Sequence, residues 1–107
     1  MEAPVLYIVR FWVAPDSHDA LIHWLDSRHM AEVVAEPGFR WVRRVKLADK
    51  AADDWQGYMM IYGLDSLGAL HAYMSGPAPR RFAEERKPFE AHMRMDRCWG
   101  EIDKVIG

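Results

Sequence analysis

Cysteine is nearly absent from this sequence. Cys98 is the one cysteine among 107 residues, so the chain can form neither an internal disulfide nor a CxxC metal or redox motif. This usage is typical of a reducing compartment, and we predict a cytoplasmic location. No His or Asn stands near Cys98 in the sequence to mark it as a nucleophile, so we expect a buried and inert thiol.

The sequence also lacks a large excess of charge of either sign, and it lacks long apolar runs. The formal net charge is −2, which gives no electrostatic basis for binding nucleic acid or an anionic membrane surface. No apolar stretch approaches the length of a membrane span. Residues 1–10 lack the basic region, apolar run and cleavage site of a signal peptide. The predicted partners therefore include neither nucleic acid nor membrane.

The compact motifs of common active sites are missing as well. The sequence has no HExxH, GxGxxG, P-loop or GxSxG. His18, His23 and His29 follow one another at intervals of five and six residues, whereas ligands on one helix face need intervals of three or four. We predict no metal site and no bound cofactor.

Aromatic residues and methionine are abundant. Five tryptophans and seven methionines must occupy a core, a pocket or an interface. The length fits one domain over residues 1–107.

The pattern of β-branched, aromatic and turn residues predicts the order strand, helix, strand, strand, helix, strand. The predicted strands cover residues 5–13, 39–47, 55–64 and 93 to about 105, and the predicted helices cover residues 18–35, 67–74 and 78–91. This order is typical of the α+β class, here a ferredoxin-like βαββαβ antiparallel sheet with helices on one face.

The first predicted strand is apolar on both faces. Val5, Val9 and Val13 share one face, while Leu6 and Ile8 share the other. Helices can cover only one of these faces, and a single copy would leave the other in water. We therefore predict a homodimer that pairs the two open sheet faces, giving a dimeric α+β barrel. In the second strand, Phe39, Trp41 and Val45 are expected to share one face, and the face with Arg44 and Lys46 is expected to be wet or near an edge.

We also expect Pro37-Gly38 to end the first helix and Asp65-Ser66 to cap the second.

His29 is the first candidate for chemistry. The helical periodicity predicts an apolar arc of Leu21, Ile22, Leu25 and Val33, and His29 falls inside it. A titratable ring in a covered interior needs a hydrogen bond or a cavity, and its ordinary pKa suits proton transfer near neutral pH. The alternative is a structural histidine bonded to a backbone carbonyl or to Glu32.

Two segments resemble the dimeric α+β barrel superfamily. The first comprises Trp24, His29 and Pro37-Gly38-Phe39, and the second is Tyr73-Met74-Ser75-Gly76-Pro77-Ala78-Pro79. The resemblance extends over nearly the whole chain. The superfamily includes EthD-like proteins, antibiotic-biosynthesis-monooxygenase-like proteins, cofactor-free quinol monooxygenases, muconolactone isomerases, polyketide cyclases and haem-degrading enzymes.

The resemblance implies a pocket between the sheet and the helices of each subunit. In the cyclases, a helix Tyr acts with a His just after a Pro-Ala pair. Tyr73 matches the Tyr, but Pro79 stands where the His would be. Haem-degrading members hold iron with a helix His from the second half of the chain, where His71 is the comparable residue.

The predicted catalytic residues are His29, Tyr73 and Tyr58. A tyrosine that lines a pocket can donate a hydrogen bond to a developing oxyanion, although each ring can equally be sheet packing. Arg10 interrupts an apolar face, so it either pairs with Asp96 or Glu101 or anchors a substrate acid. The predicted substrate-binding residues are Tyr7, Arg10, Trp12, Trp24, Tyr62, Arg81 and Trp99.

The leading functional hypothesis is a small cofactor-independent enzyme with acid/base chemistry. Its substrate would be hydrophobic and aromatic or polyketide-like, and its reaction that of a lyase, isomerase or cyclase. The alternatives are a cofactor-free quinol monooxygenase and a non-catalytic dimer that binds a small ligand. Haem binding is a further possibility.

Overall fold

The chain folds as a four-stranded antiparallel sheet with its helices on one face. The computed structural model describes residues 3–107. The strands are β1 (Val5–Val13), β2 (Phe39–Lys46), β3 (Gln56–Leu64) and β4 (Met93–Glu101), and the helices are α1 (His18–Trp24), α2 (Met30–Val34), α3 (Leu67–Ser75) and α4 (Ala78–Arg86). The strand order β2-β3-β1-β4 confirms the predicted ferredoxin-like α+β fold. Within residues 3–107, no helix is long and apolar enough to span a membrane.

The core lies between the two central strands and the helices. On β1 and β3 the residues that face the helices are buried, and Tyr7 lies opposite Tyr62 while Phe11 lies opposite Tyr58. The helices pack against these residues through Leu21, Leu70 and Phe82, each of which is at most 2% exposed. Burying such side chains is worth about 1.5–3 kcal/mol each, so this layer is the main stabilising contact.

The first helical region is interrupted by a π turn over Leu25–His29, which joins α1 to α2. The backbone N–H of Met30 donates to the carbonyl of Leu25, five residues earlier. The sequence predicted one regular helix over residues 18–35, and periodicity could not reveal this extra residue in the turn. The buried positions Leu21, Leu25 and Val33 nevertheless agree with the predicted arc.

A bulge in β2 overturns the predicted sharing of one face by Phe39, Trp41 and Val45. The pairing shifts register between Phe39 and Trp41. Phe39 consequently packs against Tyr62 and Tyr73 on the helix side, whereas Trp41 lies on the open face, close to Gly63. The prediction that β2 lies at a sheet edge is confirmed.

Two further expectations, on Cys98 and on the ends of two strands, are wrong, and the expected cap of α3 is confirmed. Cys98 is exposed rather than buried, because it lies on an edge strand and on the face that the helices leave open. The third strand begins at Gln56 instead of Trp55, and the fourth ends at Glu101 instead of near Val105. Ser66 caps α3 as predicted, since its hydroxyl accepts the backbone N–H of Ala69 at 3.0 Å.

Gly38→Ala is expected to lower the free energy of unfolding by about 2–4 kcal/mol. Gly38 has a φ of +87°, and an added Cβ would lie 2.5 Å from the Cβ of Ala69. Both backbone strain and overlap therefore oppose the substitution. Urea unfolding measures the effect. Gly100→Ala is the control, since nothing lies within 4 Å of a Cβ added there; equal losses in the two variants would contradict the prediction.

Candidate functional site

A cavity of about 470 Å³ lies between the sheet and the helices. This volume is within the range of small-molecule sites, which are concave, mostly apolar and carry a few polar groups. Its walls are mainly aromatic and aliphatic. The lining residues that carry polar groups or aromatic rings are Tyr7, Phe11, Trp24, His29, Tyr62, Tyr73, Arg80, Phe82, Arg86 and Arg97.

His29 lies in the cavity wall between two aromatic rings. Its imidazole stacks on Trp24, with ring centres 4.4 Å apart and planes 18° apart. Phe82 contacts it edge-on, with ring centres 4.8 Å apart. In a regular α-helix, residues five apart point about 140° away from each other. The π turn between them brings Trp24 and His29 together, and an aromatic slot results.

The electrostatic environment keeps His29 neutral. Burial, with a smaller contribution from the positive charge of Arg86, lowers its pKa from 6.5 to about 4. Its Nδ1 atom is buried and has no hydrogen-bond partner within residues 3–107. The structural alternative predicted a bond to a backbone carbonyl or to Glu32, and this unpaired nitrogen argues against it. An unpaired buried nitrogen costs free energy that a purely structural histidine would avoid.

Three tyrosines form another part of the wall. The Tyr7 ring centre lies 5.9 Å from that of Tyr62 and 6.3 Å from that of Tyr73. Burial raises the pKa of all three hydroxyls. They therefore remain protonated at neutral pH and are available as hydrogen-bond donors.

Five of the predicted site residues share this cavity: His29, Tyr73, Tyr7, Trp24 and Tyr62. Tyr58 does not line it, although it shares a sheet face with Tyr62. The Tyr58 ring stacks on Phe11, and its hydroxyl lies 2.6 Å from Nε2 of His18. The structure therefore does not bring Tyr58 together with His29.

Four predicted substrate-binding residues also lie outside the cavity lining. Arg10 and Trp12 are on the opposite sheet face, and Arg10 pairs with Asp96 through two bonds of 2.8 and 3.0 Å. Asp96 is one of the two partners predicted for Arg10, and this ion pair lies on the face away from the cavity. Arg81 lies over Phe82 and approaches Glu36. Trp99 contacts Tyr7 but is 44% exposed at the sheet edge.

Sequence reasoning missed two cationic residues of the site, Arg86 and Arg97. Arg86 lies in the sequence near Arg80, Arg81 and Lys87, and such a cluster of charges is typical of a solvated face. Arg97 could have been found from strand alternation, because it shares a face with Met93 and Met95, which also line the cavity.

The side chains in and around the cavity offer little to a metal. Among residues 3–107, no group of three His, Cys, Asp or Glu side chains is placed to hold a metal ion. His71, the residue that the resemblance matched to a haem-iron ligand, is exposed on α3 and is not part of the lining. The donor set therefore does not fit haem held by that histidine.

Similar folds are found among solved structures. A haem degrader from Mycobacterium tuberculosis, MhuD, with two haems bound in its active site, is 22% identical with a TM-score of 0.69, covering 97% of this chain and 100% of the other. SnoaB, a cofactor-independent oxygenase from Streptomyces nogalater, is 18% identical with a TM-score of 0.62 and 97% coverage of both chains.

A third structure is a Deinococcus radiodurans protein assigned provisionally as an antibiotic biosynthesis monooxygenase. It is 16% identical with a TM-score of 0.64, covering 95% of this chain and 96% of the other. These similarities confirm the ferredoxin-like α+β fold that the resemblance implied. No curated protein sequence matches this chain.

One family model does match, over residues 4–98, and it is described as a domain of unknown function. The match spans both halves of the sheet and all the lining residues of the cavity. The chain therefore belongs to the family named Domain of unknown function (DUF4286).

Proposed function

We propose that this protein is a cofactor-independent enzyme in which His29 removes a proton from a hydrophobic aromatic small molecule. The observation that carries the proposal is a neutral histidine in the wall of a small-molecule-sized cavity, with a ring nitrogen, Nδ1, that no group of residues 3–107 satisfies. General bases of this kind contribute about 10²–10⁴-fold to a rate when they reach the substrate proton.

We assign a role to each ring nitrogen of His29 from its surroundings. Because Nδ1 is buried, Nε2 is the atom that can accept a substrate proton, and the ring proton then resides on Nδ1. Trp24 fixes the ring plane by stacking. A planar aromatic substrate fits between the apolar walls, where π contacts add to simple burial.

The tyrosines complete the site. Removing a proton from a phenol or an enolisable ketone leaves negative charge on an oxygen atom. The neutral hydroxyls of Tyr7, Tyr62 and Tyr73 can donate to that oxygen in a cavity whose walls are mostly apolar. Proton removal with oxyanion stabilisation is the first step shared by isomerases, cyclases and many lyases.

A second candidate reaction begins from the same step. The fold is shared with a protein described as a cofactor-independent oxygenase. A deprotonated, electron-rich ring can itself reduce dioxygen. One oxygen atom then enters the ring as a carbonyl and the other leaves as water, so that no external reductant is needed. Both candidates require His29 as the base, and they differ in whether dioxygen is consumed.

A turnover screen tests the proposal. Wild type and His29→Gln would be incubated with phenolic, quinol and β-keto compounds, with and without dioxygen, and the products read by mass spectrometry. A product made by wild type under both conditions supports the isomerase, cyclase or lyase reaction. A product that requires dioxygen supports the oxygenase. If both proteins fold and neither makes a product, the protein is a ligand-binding module instead.

We also propose that the protein acts as a homodimer. The open sheet face carries Ile8, Trp12 and Ile61, which the helices cannot cover, and Val45 there is 43% exposed. Ile8 and Ile61 lie opposite each other at the middle of the two central strands. Pairing this face with a second copy would remove a contiguous apolar surface from water.

Ile8→Asp is expected to convert the dimer into a monomer, because the residues directly opposite position 8 on this face, Ile61 and Cys98, offer no cation to a buried carboxylate. Light scattering after size-exclusion chromatography gives the molar mass, which should fall to half. Ile8→Val is the control and should keep the wild-type mass. A monomeric wild type would contradict the proposed assembly.

A further inference from the structure

The arginines of this chain divide into two groups by their partners. Ten arginines are present. Six form ion pairs with carboxylates, namely Arg10, Arg28, Arg40, Arg44, Arg81 and Arg94, and not one of these six lines the cavity. Among the described residues, the arginines with no ion pair shown to a carboxylate are Arg43, Arg80, Arg86 and Arg97.

Three of these four line the cavity: Arg80, Arg86 and Arg97. The fourth, Arg43, lies on the open sheet face, with its guanidinium 4.4 Å from the centre of the Trp41 ring. No Asp or Glu of residues 3–107 is among the cavity-lining side chains. The cavity wall therefore carries three positive charges and no negative one.

Arg86 and Arg97 act on the same region of the cavity. Each positive charge opposes protonation of His29. Burial and then the charge of Arg97 disfavour the charged form of Arg86, while Glu90 favours it. Arg86, half-buried, extends from the end of α4 and Arg97, exposed, from β4, so two separate elements bring like charges together. Holding two like charges close without a carboxylate between them costs free energy, which a bound anion would offset.

We propose that the substrate is an aromatic carboxylate whose acid group is held by Arg86 and Arg97. This inference rests on the proposed function, since it concerns the same cavity. The planar guanidinium fork matches a carboxylate through paired N–H···O bonds. The rings of Trp24 and Phe82 and the side chains of Met93 and Met95 supply the apolar wall for the aromatic part.

The test compares two probes of nearly the same shape, 2-naphthoate and the neutral 2-naphthamide, by titration calorimetry. Wild type should bind the naphthoate at least about tenfold more tightly, because a charge-assisted bond is worth more than a neutral one. Arg86→Gln and Arg97→Gln should each reduce this preference several-fold while leaving naphthamide binding unchanged. Arg43→Gln removes the same charge outside the cavity and should keep the preference.

The inference is overturned if wild type binds both probes equally or binds neither. It is also overturned if Arg43→Gln lowers the preference as much as the cavity variants, since the effect would then reflect net charge alone. If either glutamine variant fails to fold, the affinities of wild type for the two probes still test the inference.

The binding experiment is independent of turnover, so the two proposals can fail separately. If His29→Gln loses turnover but wild type shows no preference for 2-naphthoate, only the proposal of an aromatic carboxylate substrate is contradicted. A clear preference together with unchanged turnover in His29→Gln would contradict the role of His29 as a base and leave the anion site standing.

Discussion

His29→Gln is expected to lower kcat/KM about 10²–10⁴-fold on whichever aromatic substrate the turnover screen identifies. Glutamine keeps a polar side chain of similar reach but cannot accept a proton at neutral pH. The fold should survive, because the main core contacts lie in the layer around Leu21, Leu70 and Phe82. Steady-state kinetics measures the loss, and circular dichroism verifies the fold.

His23→Gln provides a matched control on the same helical region. His23 is exposed and does not line the cavity, so its substitution should leave kcat/KM unchanged. Equal losses in the two variants would point to a general effect on the helix and contradict a base at position 29.

The pH profile of the wild-type enzyme gives an independent signature of the same base. Because the pKa of His29 is about 4, its base form already predominates at pH 5. The group faces Arg86 from α4, Arg97 from β4 and Glu32 from α2, and only Glu32 favours the protonated ring. The dependence of kcat/KM on this group should be flat from pH 5 to 8, and an inflection near 6.5 would contradict the assignment.

The free energy of unfolding is expected to decrease by about 3 kcal/mol from His29 alone as the pH falls from 6.5 to 4. The folded pKa of about 4 lies below the ordinary value of 6.5. Within this window the unfolded chain takes up a proton that the folded chain does not, so acid favours unfolding. Above pH 6.5 the free energy of unfolding is not reduced by protonation of His29. Below pH 4 a further fall in pH causes no further loss from this group.

Urea unfolding of wild type and His29→Gln across this window measures the effect. The difference between the two curves isolates His29, because all other titrating groups are common to both proteins. The variant should become more stable relative to wild type as the pH falls. Parallel curves would mean that the imidazole is solvated and titrates in the folded chain as it does in the unfolded one.

Much of the fold was predictable because alternation and turn residues carry strong physical signals. β1 is apolar on both faces, and the structure places helices on one of them. The cap at Ser66 and the stop at Gly38 also followed from local chemistry. These features depend on neighbours in sequence, so sequence reasoning could reach them.

The site was only half predictable, for a different reason. His29, Trp24 and Tyr73 were named from the helical pattern and the resemblance, but Arg86 and Arg97 were not. From sequence alone, an arginine on a strand or helix is predicted to be solvated, because the sequence does not give the distance from its guanidinium to a carboxylate. Likewise, the bulge between Phe39 and Trp41 moves Phe39 to the opposite face, which strict alternation cannot anticipate.

The π turn over Leu25–His29 lets the aromatic slot tolerate a change in the length of the chain. Deleting one residue within this segment would let the helix close regularly, and Trp24 and His29 would then stand four positions apart. Residues four apart in a regular α-helix lie on one face, so the two rings would stay neighbours. A one-codon deletion between them would therefore keep the slot, whereas a sequence search for the two residues at a fixed spacing of five would miss the histidine.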